Sequence, residues 1–450
     1  MLALAAALLL AAAPAPTPAP PRAAAPAARL PALLDAVDPG RLQATVARLV
    51  AFGTRHTLSD TTSETRGIGA ARRWLSATAA ALAAAPGSRL EPFEDRFTQP
   101  EGARLPRPVE IWNVGVRLPG VDARRSREAI VLTAHYDSRA TDVMNASGDA
   151  PGACDDGSGV AVVLELARVL AAERPAVAVY LVAVAGEEQG LHGSTHLAKR
   201  LGAEGIQVLA MASVDTVGNV VGQDGVRDDV SLRVFSEGVS AQETDSARRL
   251  REALGGENDG AAREWARYLK RAASARVENL DVQVMLRRDR IARGSDHLAF
   301  AKEGVAAIRL TEGHEHYGRQ HQDPRVEGGV AYGDDLAHFD APYAAKVARG
   351  LLAAVAELAA APAPLRELWL GGAVSPDTRL RWTSPDDARV AGVVVYRRRA
   401  DAVAWQRADR HPAGEPLVLR NVVPDSHVFA VATVDAEGNE SLPLYPTRLE

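Results

Sequence analysis

Apolar runs alternate with helix-like segments through the middle of the chain. The runs at 129–134, 177–185 and 208–214 are almost wholly apolar and predict buried strands. Helical periodicity at 160–172 and 191–201 predicts the helices between them. Apolar strands that alternate with helices are typical of a sheet covered on both faces. The pattern therefore predicts an α/β fold with a mostly parallel sheet.

Further elements are predicted on both sides of this alternation. Before it, we expect helices near 40–52 and 68–84 and β-rich runs at 89–97 and 109–117. After it come strands at 232–236, 282–286 and 306–311, a charged helical segment at 242–276 and a last helix at 343–360. The string APAP at 361–364 then predicts a boundary, so we place the α/β domain at residues 29–362.

Residues 363–450 follow a different pattern. Short alternating runs, separated by turn strings such as SPDD and DAEGN, predict an all-β sandwich. The runs lie at 378–383, 392–398, 417–419 and 427–434. Trp382, Tyr396 and the closing string VFAVATVDAEGNES resemble a fibronectin type III module, although His427 stands about where that fold usually has its corner tyrosine. We therefore expect a separate C-terminal module, suited to contact with a surface or a large substrate.

Residues 1–28 have the character of a leader and a linker. The opening run MLALAAALLLAAA is apolar but shorter than the roughly 20 residues of a membrane span. It resembles the apolar core of a secretory signal, although no positive charge precedes it. The tract PAPTPAPPRAAAPAA is typical of an extended linker. We therefore expect an exported protein, periplasmic or extracellular.

Composition limits the classes of function. The 450 residues are 47% hydrophobic and 24% charged, as expected for a globular chain of several domains. A formal net charge of −5 gives no basic footprint, so we expect no nucleic-acid partner. The single cysteine, Cys154, excludes an intrachain disulfide framework, and we expect it to be a small packed residue rather than a metal ligand.

Side chains that bind metals recur where the predicted strands end. They are His135 and Asp137, Asp155 in the string PGACDDGSG, the doubled Glu187-Glu188, Asp215, and a late histidine among His314, His316 and His321. In such sheets a site lies beyond the carboxyl ends of the strands. Nitrogen and carboxylate ligands without thiolates suit Zn²⁺ or a similar divalent ion. A carboxylate beside a ligand also provides the base that metal-assisted hydrolysis needs.

Each string taken alone leaves an alternative open. The histidine and aspartate at 135 and 137 also fit a solvated strand end, the Asp-Asp pair at 155–156 fits a helix cap, and Asp215 fits a turn. Spacing does not decide which of Glu187 and Glu188 is the base, nor which late histidine is a ligand. Asp296-His297 is a second candidate pair or a helix N-cap. Only the full set predicts a metal centre.

The order HxD, GxxDD, GEE, D, SDH and a late H resembles the two-zinc aminopeptidase family that includes bacterial leucyl and broad-specificity secreted aminopeptidases. The likeness covers roughly residues 41–360. It implies two zinc ions per chain and peptide substrates. It also implies these roles: His135 and Asp215 on one zinc, Glu188 and His321 on the other, Asp155 bridging, Glu187 as general base, Asp137 orienting His135, and Asp296-His297 supporting the site.

One position departs from the family pattern, and several functions compete. Gln320 stands where members often carry a tyrosine that stabilises the oxyanion, and Tyr317 or Gln320 itself is the alternative. We expect an aminopeptidase. The rivals are a one-zinc glutaminyl cyclase, a carboxypeptidase of the same superfamily, and a non-catalytic receptor with this fold, as in the transferrin receptor. Retention of every ligand, including His135 and Asp215, argues against a glutaminyl cyclase and against a non-catalytic receptor. The sequence indicates neither the oligomeric state nor the preferred N-terminal residue.

Overall fold

The computed structural model describes residues 29–414 and 416–450. The predicted leader and linker at 1–28 lie outside the described residues. The helices are α1 (Leu30–Asp35), α2 (Pro39–Val50), α3 (Gly67–Ala84), α4 (Ser158–Leu170), α5 (His192–Ala203), α6 (Asp245–Leu254), α7 (Ala261–Ser274), α8 (His297–Lys302) and α9 (Ala341–Ala360). Within the described part of the chain, no helix is both long and apolar enough to cross a membrane.

Eight strands form the central sheet. They are β1 (Glu91–Gln99), β2 (Val109–Leu118), β3 (Glu128–His135), β4 (Ala178–Val184), β5 (Gln207–Val214), β6 (Ser231–Ser236), β7 (Asp281–Met285) and β8 (Ala307–Glu312), in the order β1-β2-β4-β3-β5-β8-β6-β7. The four strands β4, β3, β5 and β8 run parallel at the centre. β1, β2 and β6 pair antiparallel with their neighbours towards the centre, so the sheet is mixed around a parallel core.

Helices cover both faces of this sheet because successive strand residues point to opposite sides. Ile130 and Leu132 of β3 pack into the larger core, which α2, α3, α4, α7 and α9 complete. The alternate residues Ala129 and Val131 pack into a smaller core against Leu197 of α5 and other residues of α5 and α8. This arrangement confirms the predicted α/β class.

Some elements differ from the sequence-based prediction. The charged segment at 242–276 forms two helices, α6 and α7, because Gly255 ends the first in a left-handed conformation with φ of +64°. The pattern also missed α1 and a short hairpin of β9 (Arg325–Glu327) and β10 (Val330–Tyr332). It missed three strands of the C-terminal module, β11 (Glu367–Gly371), β14 (Arg407–His411) and β17 (Arg448–Leu449). The sequence RADRH of β14 is polar and lacks the apolar alternation on which strand prediction depends.

The C-terminal part folds as two sheets. One contains β11, β12 (Thr378–Thr383), β15 (Leu417–Leu419) and β17 (Arg448–Leu449), and the other contains β13 (Gly392–Arg399), β14 and β16 (His427–Val434). Leu368 and Leu380 of the first sheet share a core with Val393, Val395 and Phe429 of the second. The predicted all-β sandwich is therefore present. Its likeness to fibronectin type III and the boundary at 362/363 stay predictions.

A buried polar contact joins α7 to this sandwich. Glu264 of α7 is 1% exposed and accepts hydrogen bonds from Trp405 Nε1 at 3.0 Å and from Tyr445 Oη at 2.8 Å. Tyr268 of α7 donates to the carbonyl of Glu440 at 2.9 Å. The modest contact that we expect between separate domains is thus replaced by hydrogen bonds between buried groups.

Candidate metal centre

The parallel strands bring the predicted ligands to one edge of the sheet. His135 is the last residue of β3, Glu187 and Glu188 follow β4, and Asp215 follows β5. In the sheet register His135 stands beside Val184, the last residue of β4. Because neighbouring parallel strands end at the same edge, residues more than fifty positions apart in sequence meet there.

The side chains form two adjoining groups. In the first, ligand atoms of His135, Glu187 and Asp215 lie within 4.8 Å of one another. In the second, ligand atoms of Asp155, Glu188 and His321 do the same. All six are residues that the sequence analysis names.

Asp155 links the two groups. Its Oδ1 lies 3.2 Å from His135 Nε2, and its Oδ2 lies 3.0 Å from His321 Nε2. One carboxylate therefore faces a histidine of each group, as a bridging ligand between two cations does. This geometry agrees with the role that the family resemblance implies.

The donor set suits a pair of divalent ions. Two ligands held about 2.0–2.1 Å from a tetrahedral zinc lie about 3.3 Å apart. His321 Nε2 lies 3.0 Å from Glu188 Oε1, and His135 Nε2 lies 3.9 Å from Asp215 Oδ2. Glu188 Oε1 is buried and has no hydrogen-bond partner among the described residues, despite the nearby histidine. A buried oxygen without a hydrogen-bond donor fits coordination of a cation.

Asp137 holds the site through both its backbone and its side chain. Its carbonyl lies 3.0 Å from His135 Nδ1, which directs Nε2 of that ring towards Asp155. The carboxylate is further from the ring, at 3.8 Å, and accepts instead from the backbone N–H groups of Glu187 at 3.3 Å and Glu188 at 3.1 Å. Asp137 thus orients the histidine mainly through its carbonyl and fixes the Glu187-Glu188 turn through its side chain.

Asp156, the neighbour of Asp155, has a structural role. The peptide bond between Asp155 and Asp156 is cis. The buried Asp156 carboxylate accepts from the backbone N–H groups of His135 at 3.0 Å, Gly159 at 3.0 Å and Thr216 at 3.2 Å. It therefore connects the ends of β3 and β5 to the start of α4.

Two buried residues that the sequence analysis did not name support the loop of Asp155. Asp334 accepts from the N–H groups of Cys154 at 2.9 Å and Asp155 at 2.7 Å, and burial raises its pKa to about 7. Arg55 donates to the carbonyls of Tyr136 at 2.6 Å and Gly152 at 2.8 Å, and burial lowers its pKa to about 10. Both lie in polar loops, where sequence gives no signal of burial.

Asp215 has two more partners that were missed. Ser295 Oγ donates to its Oδ2 at 2.5 Å, and the Arg309 guanidinium donates to its Oδ1 at 2.9 Å. Arg309 is 1% exposed. A signal for it exists, because a lone arginine in the apolar strand β8 requires a buried counter-charge.

The competing candidates lie elsewhere. His314 is 43% exposed in its side chain and faces Asp224 and Asp228 rather than either group. His316 belongs to neither group of ligands in the described part of the chain. Of the SDH string, Ser295 contacts Asp215, whereas Asp296 is buried without a hydrogen-bond partner among the described residues. Cys154 is buried and remains outside both groups.

Gln320, in the position of the oxyanion-stabilising tyrosine, contacts an arginine. Its side chain is 6% exposed, and its Oε1 accepts from Arg293 Nη1 at 3.2 Å. Neither Gln320 nor Tyr317, which is 60% exposed, lines the cleft in front of the ligands.

The buried carboxylates of the centre favour the binding of positive charge. Burial, with repulsion from Glu188 and Asp215, raises the pKa of Glu187 well above its ordinary value. Burial opposes protonation of His321, but Glu188 and Asp155 outweigh it and raise the pKa to about 10. Ionisation of Glu187 is thus opposed, whereas the charged form of His321 is favoured, because the centre holds more carboxylates than cationic groups. Divalent cations would supply positive charge in place of the protons.

Comparison with known proteins identifies the family. Residues 113–353 match the model of peptidase family M28. A relative from Leptosphaeria maculans, called a probable zinc metalloprotease, is 39% identical over 426 residues that cover 94% of this chain and 97% of the relative. A probable zinc metalloprotease from Pyricularia oryzae is 39% identical over 427 residues, covering 92% of this chain and 84% of the relative. The chain belongs to peptidase family M28.

Solved structures agree on the fold. The Legionella pneumophila LapA aminopeptidase covers 74% of this chain with a TM-score of 0.51 at 20% identity, and 75% of LapA is covered. LapB from the same organism gives a TM-score of 0.50 at 21% identity, covering 74% of this chain and 75% of LapB. At such identities the likeness concerns the fold alone. The sequence relatives described above are fungal, so placement with the bacterial secreted group stays a prediction.

Proposed function

We propose that this member of family M28 is a zinc-dependent exopeptidase that removes N-terminal residues from peptides. The observation that carries the proposal is the pair of ligand groups that Asp155 links, one of which also contains the carboxylate of Glu187. The names of the fungal relatives support zinc as the metal. We propose two zinc ions per chain, one at His135 and Asp215 and one at Glu188 and His321.

Bound zinc ions would supply Lewis acidity, which polarises the scissile carbonyl and lowers the pKa of an attacking water. The protein must supply a base for that water and an acid for the leaving amine. Glu187 meets both needs because its side chain lines the cleft beside His135 and Asp215.

Glu187 carries one proton from the attacking water to the leaving amine. Its carboxylate takes a proton from the water as the water oxygen attacks the carbonyl carbon. The same oxygen of Glu187 then gives the proton to the nitrogen of the leaving amine as the C–N bond breaks. Asp137 holds the turn that carries Glu187 by accepting its backbone N–H. This hydrogen bond fixes the backbone from which the Glu187 side chain enters the cleft.

The rival functions differ in substrate. A glutaminyl cyclase needs one zinc, and the complete second set of ligands in this chain disfavours it. A carboxypeptidase would accept peptides with a blocked N-terminus, whereas an aminopeptidase would not. A panel of aminoacyl-nitroanilides, each with and without N-acetylation, separates these functions. Cleavage of the acetylated substrates at a comparable rate would contradict the aminopeptidase proposal.

Two neighbouring glutamates provide a matched test of the mechanism. Glu187→Gln should keep two zinc ions per chain and lower turnover about 10²–10⁴-fold, because only the base is lost. Glu188→Gln should instead lose zinc, because a ligand oxygen becomes an amide. Elemental analysis and kcat measured on the same preparations decide between the roles. Reversed phenotypes would mean that the two residues exchange roles.

Two further proposals concern the setting of the enzyme. We propose export, on the basis of the apolar leader-like start of the sequence. We also propose that the C-terminal sandwich contacts a surface or a large substrate, because none of the proposed ligands lies in it. Fractionation of cells that express the full chain tests the first, and binding of the intact protein to insoluble substrate tests the second.

A further inference from the structure

The cleft in front of the metal centre has a distinctive wall. It encloses about 440 Å³, and its negatively charged lining residues are the four carboxylates of the centre, Asp155, Glu187, Glu188 and Asp215. Every other charged residue along its described wall, apart from the two histidines of the centre, is an arginine: Arg104, Arg139, Arg290, Arg293 and Arg309. The largest apolar side chains in the lining are Leu191 and Leu298. The wall therefore offers positive charge rather than an apolar pocket.

These arginines are only partly neutralised. Arg309 is committed to Asp215, as described above. Arg290 and Arg293 share the carboxylate of Glu315, at 2.7 Å and 3.0 Å, and Arg233 from β6 contacts the same carboxylate at 2.7 Å. Arg290 also contacts Asp289, at 3.4 Å. Three guanidinium groups thus share two carboxylates, which leaves positive charge in excess. The pKa of Glu315 is lowered below its ordinary value because these arginines outweigh burial, so Glu315 stays ionised.

Two arginines at the mouth of the cleft have no acidic partner within 4.0 Å in the part of the chain that the structure describes. Arg139 donates to the carbonyls of Ala140 at 3.2 Å and Thr141 at 3.0 Å. Arg104 donates to the carbonyl of Glu188 at 2.8 Å. Carbonyl acceptors orient these groups without cancelling their charge. They remain available to an anion in the cleft.

Arg293 is the best placed to contact a substrate. Its Nη1 is held by Glu315 at 3.0 Å and by Gln320 at 3.2 Å, and its side chain is 29% exposed. Nε and Nη2 make no hydrogen bond within the described residues, so the free edge of the guanidinium is available. A guanidinium edge held in this way matches a carboxylate in bidentate geometry. Gln320, in the position of the family tyrosine, therefore acts as a positioning residue for Arg293.

We infer that the enzyme prefers substrates that carry a carboxylate close to the scissile bond, with Arg293 as the main contact and Arg139 and Arg104 as the surrounding positive field. The inference rests on the proposed peptidase function and specifies its substrate class. The wall repels cationic side chains and provides few apolar contacts for large hydrophobic ones. Either an acidic N-terminal side chain or the C-terminal carboxylate of a short peptide supplies the required group.

Paired substrates distinguish these two sources. Glutamyl- and glutaminyl-nitroanilide differ in a side-chain carboxylate and have no C-terminal carboxylate. Leucyl-glycine and its amide differ in the C-terminal carboxylate alone. We expect kcat/KM to favour the carboxylate member of one pair by about 10–100-fold, the range of a charge-assisted hydrogen bond. A ratio below about threefold in both pairs, in protein that cleaves leucyl-nitroanilide, would overturn the inference while leaving the peptidase function intact.

Variants test the assignment to Arg293. Arg293→Gln and Arg139→Gln should each lower the carboxylate preference, and Arg293→Gln should lower it most. Arg287→Gln is the matched control, because Arg287 is exposed on the same segment and does not line the cleft. The ratio within a substrate pair is the readout, since partial misfolding lowers both members equally. An unchanged ratio in both Arg293→Gln and Arg139→Gln would contradict the assignment.

Binding gives a readout that needs no turnover. Zinc-loaded Glu187→Gln protein should bind glutamic acid α-amide more tightly than glutaminamide, or leucyl-glycine more tightly than leucyl-glycinamide, by about the same 10–100-fold. The preferred pair should match the pair preferred in kinetics. Equal affinity within both pairs would overturn the inference even if no peptide is cleaved. Failure of cleavage with preserved discrimination would refute only the proposed function.

Discussion

Replacement of Glu264 in α7 by alanine should weaken the attachment of the C-terminal sandwich. Glu264 is 1% exposed and accepts from Trp405 Nε1 at 3.0 Å and from Tyr445 Oη at 2.8 Å. Both donors belong to the sandwich. Glu264→Ala removes their acceptor while the surrounding structure still shields them from water. The substitution therefore weakens the contact between α7 and the C-terminal sandwich.

The change in the free energy of unfolding follows from the polar groups that remain after Glu264→Ala. Two donors on half-buried side chains lose their buried acceptor, at about 1–3 kcal/mol each. Arg267 also faces Glu264, at 3.6 Å, but it keeps Asp259 at 3.4 Å and the carbonyl of Val403 at 3.0 Å. No uncompensated charge is therefore created. We expect Glu264→Ala to lower the free energy of unfolding by about 3 kcal/mol, within the range for breaking a buried polar contact.

Equilibrium unfolding in urea measures this change. Tryptophan fluorescence follows both parts, because Trp265 lies in α7 and Trp405 in the sandwich. Glu264→Gln should cost less, about 1–2 kcal/mol, since its amide oxygen still accepts one bond. Glu252→Ala on the exposed helix α6 is the control and should change stability by no more than about 0.5 kcal/mol. A loss below about 1 kcal/mol for Glu264→Ala would refute the argument that these donors are buried and dependent on Glu264.

Three further predictions concern the same two regions. His321→Ala should lower zinc content and activity sharply, whereas His316→Ala should do much less, as elemental analysis and kcat would record; equal losses would contradict the choice of His321. Removal of zinc by a chelator should abolish activity and lower Tm, because the carboxylates of the centre then lack counter-charge, and activity that survives complete removal would contradict a metal mechanism. Burial raises the pKa of Glu264 above its ordinary 4.5, so the folded state binds that proton more tightly than the unfolded chain. The stability of the wild type relative to Glu264→Gln should therefore fall as pH rises from 4.5 towards the raised pKa, and urea unfolding across that pH window that shows a rise would refute this.

Much of the site is foreseeable from the sequence because parallel strands end together. Once 129–134, 177–185 and 208–214 are recognised as neighbouring strands, His135, Glu187-Glu188 and Asp215 must approach one another. The period of two along β3 likewise determines which residues face each core. These conclusions need only local pattern and the geometry of the sheet.

Tertiary structure distinguishes residues that local sequence patterns cannot tell apart. His314, His316 and His321 occupy the same loop with similar surroundings in sequence, and only the path of that loop brings His321 to Asp155 and Glu188. Arg55 and Asp334 read as ordinary loop residues until the chain buries them behind the ligands. Burial of a polar group depends on segments distant in sequence, so no local pattern reveals it.

The same reason explains the cleft and the C-terminal contact. Arg104, Arg139 and Arg293 come from three separate segments, and their shared wall exists only after folding. The sequence boundary at APAP predicts a separable module, yet Glu264, Trp405 and Tyr445 meet across more than 140 positions. Periodicity and side-chain chemistry suffice to predict the central strands, the sheet edge and the ligand types. The structure alone decided which distant charges become neighbours, because that depends on how the connecting loops close.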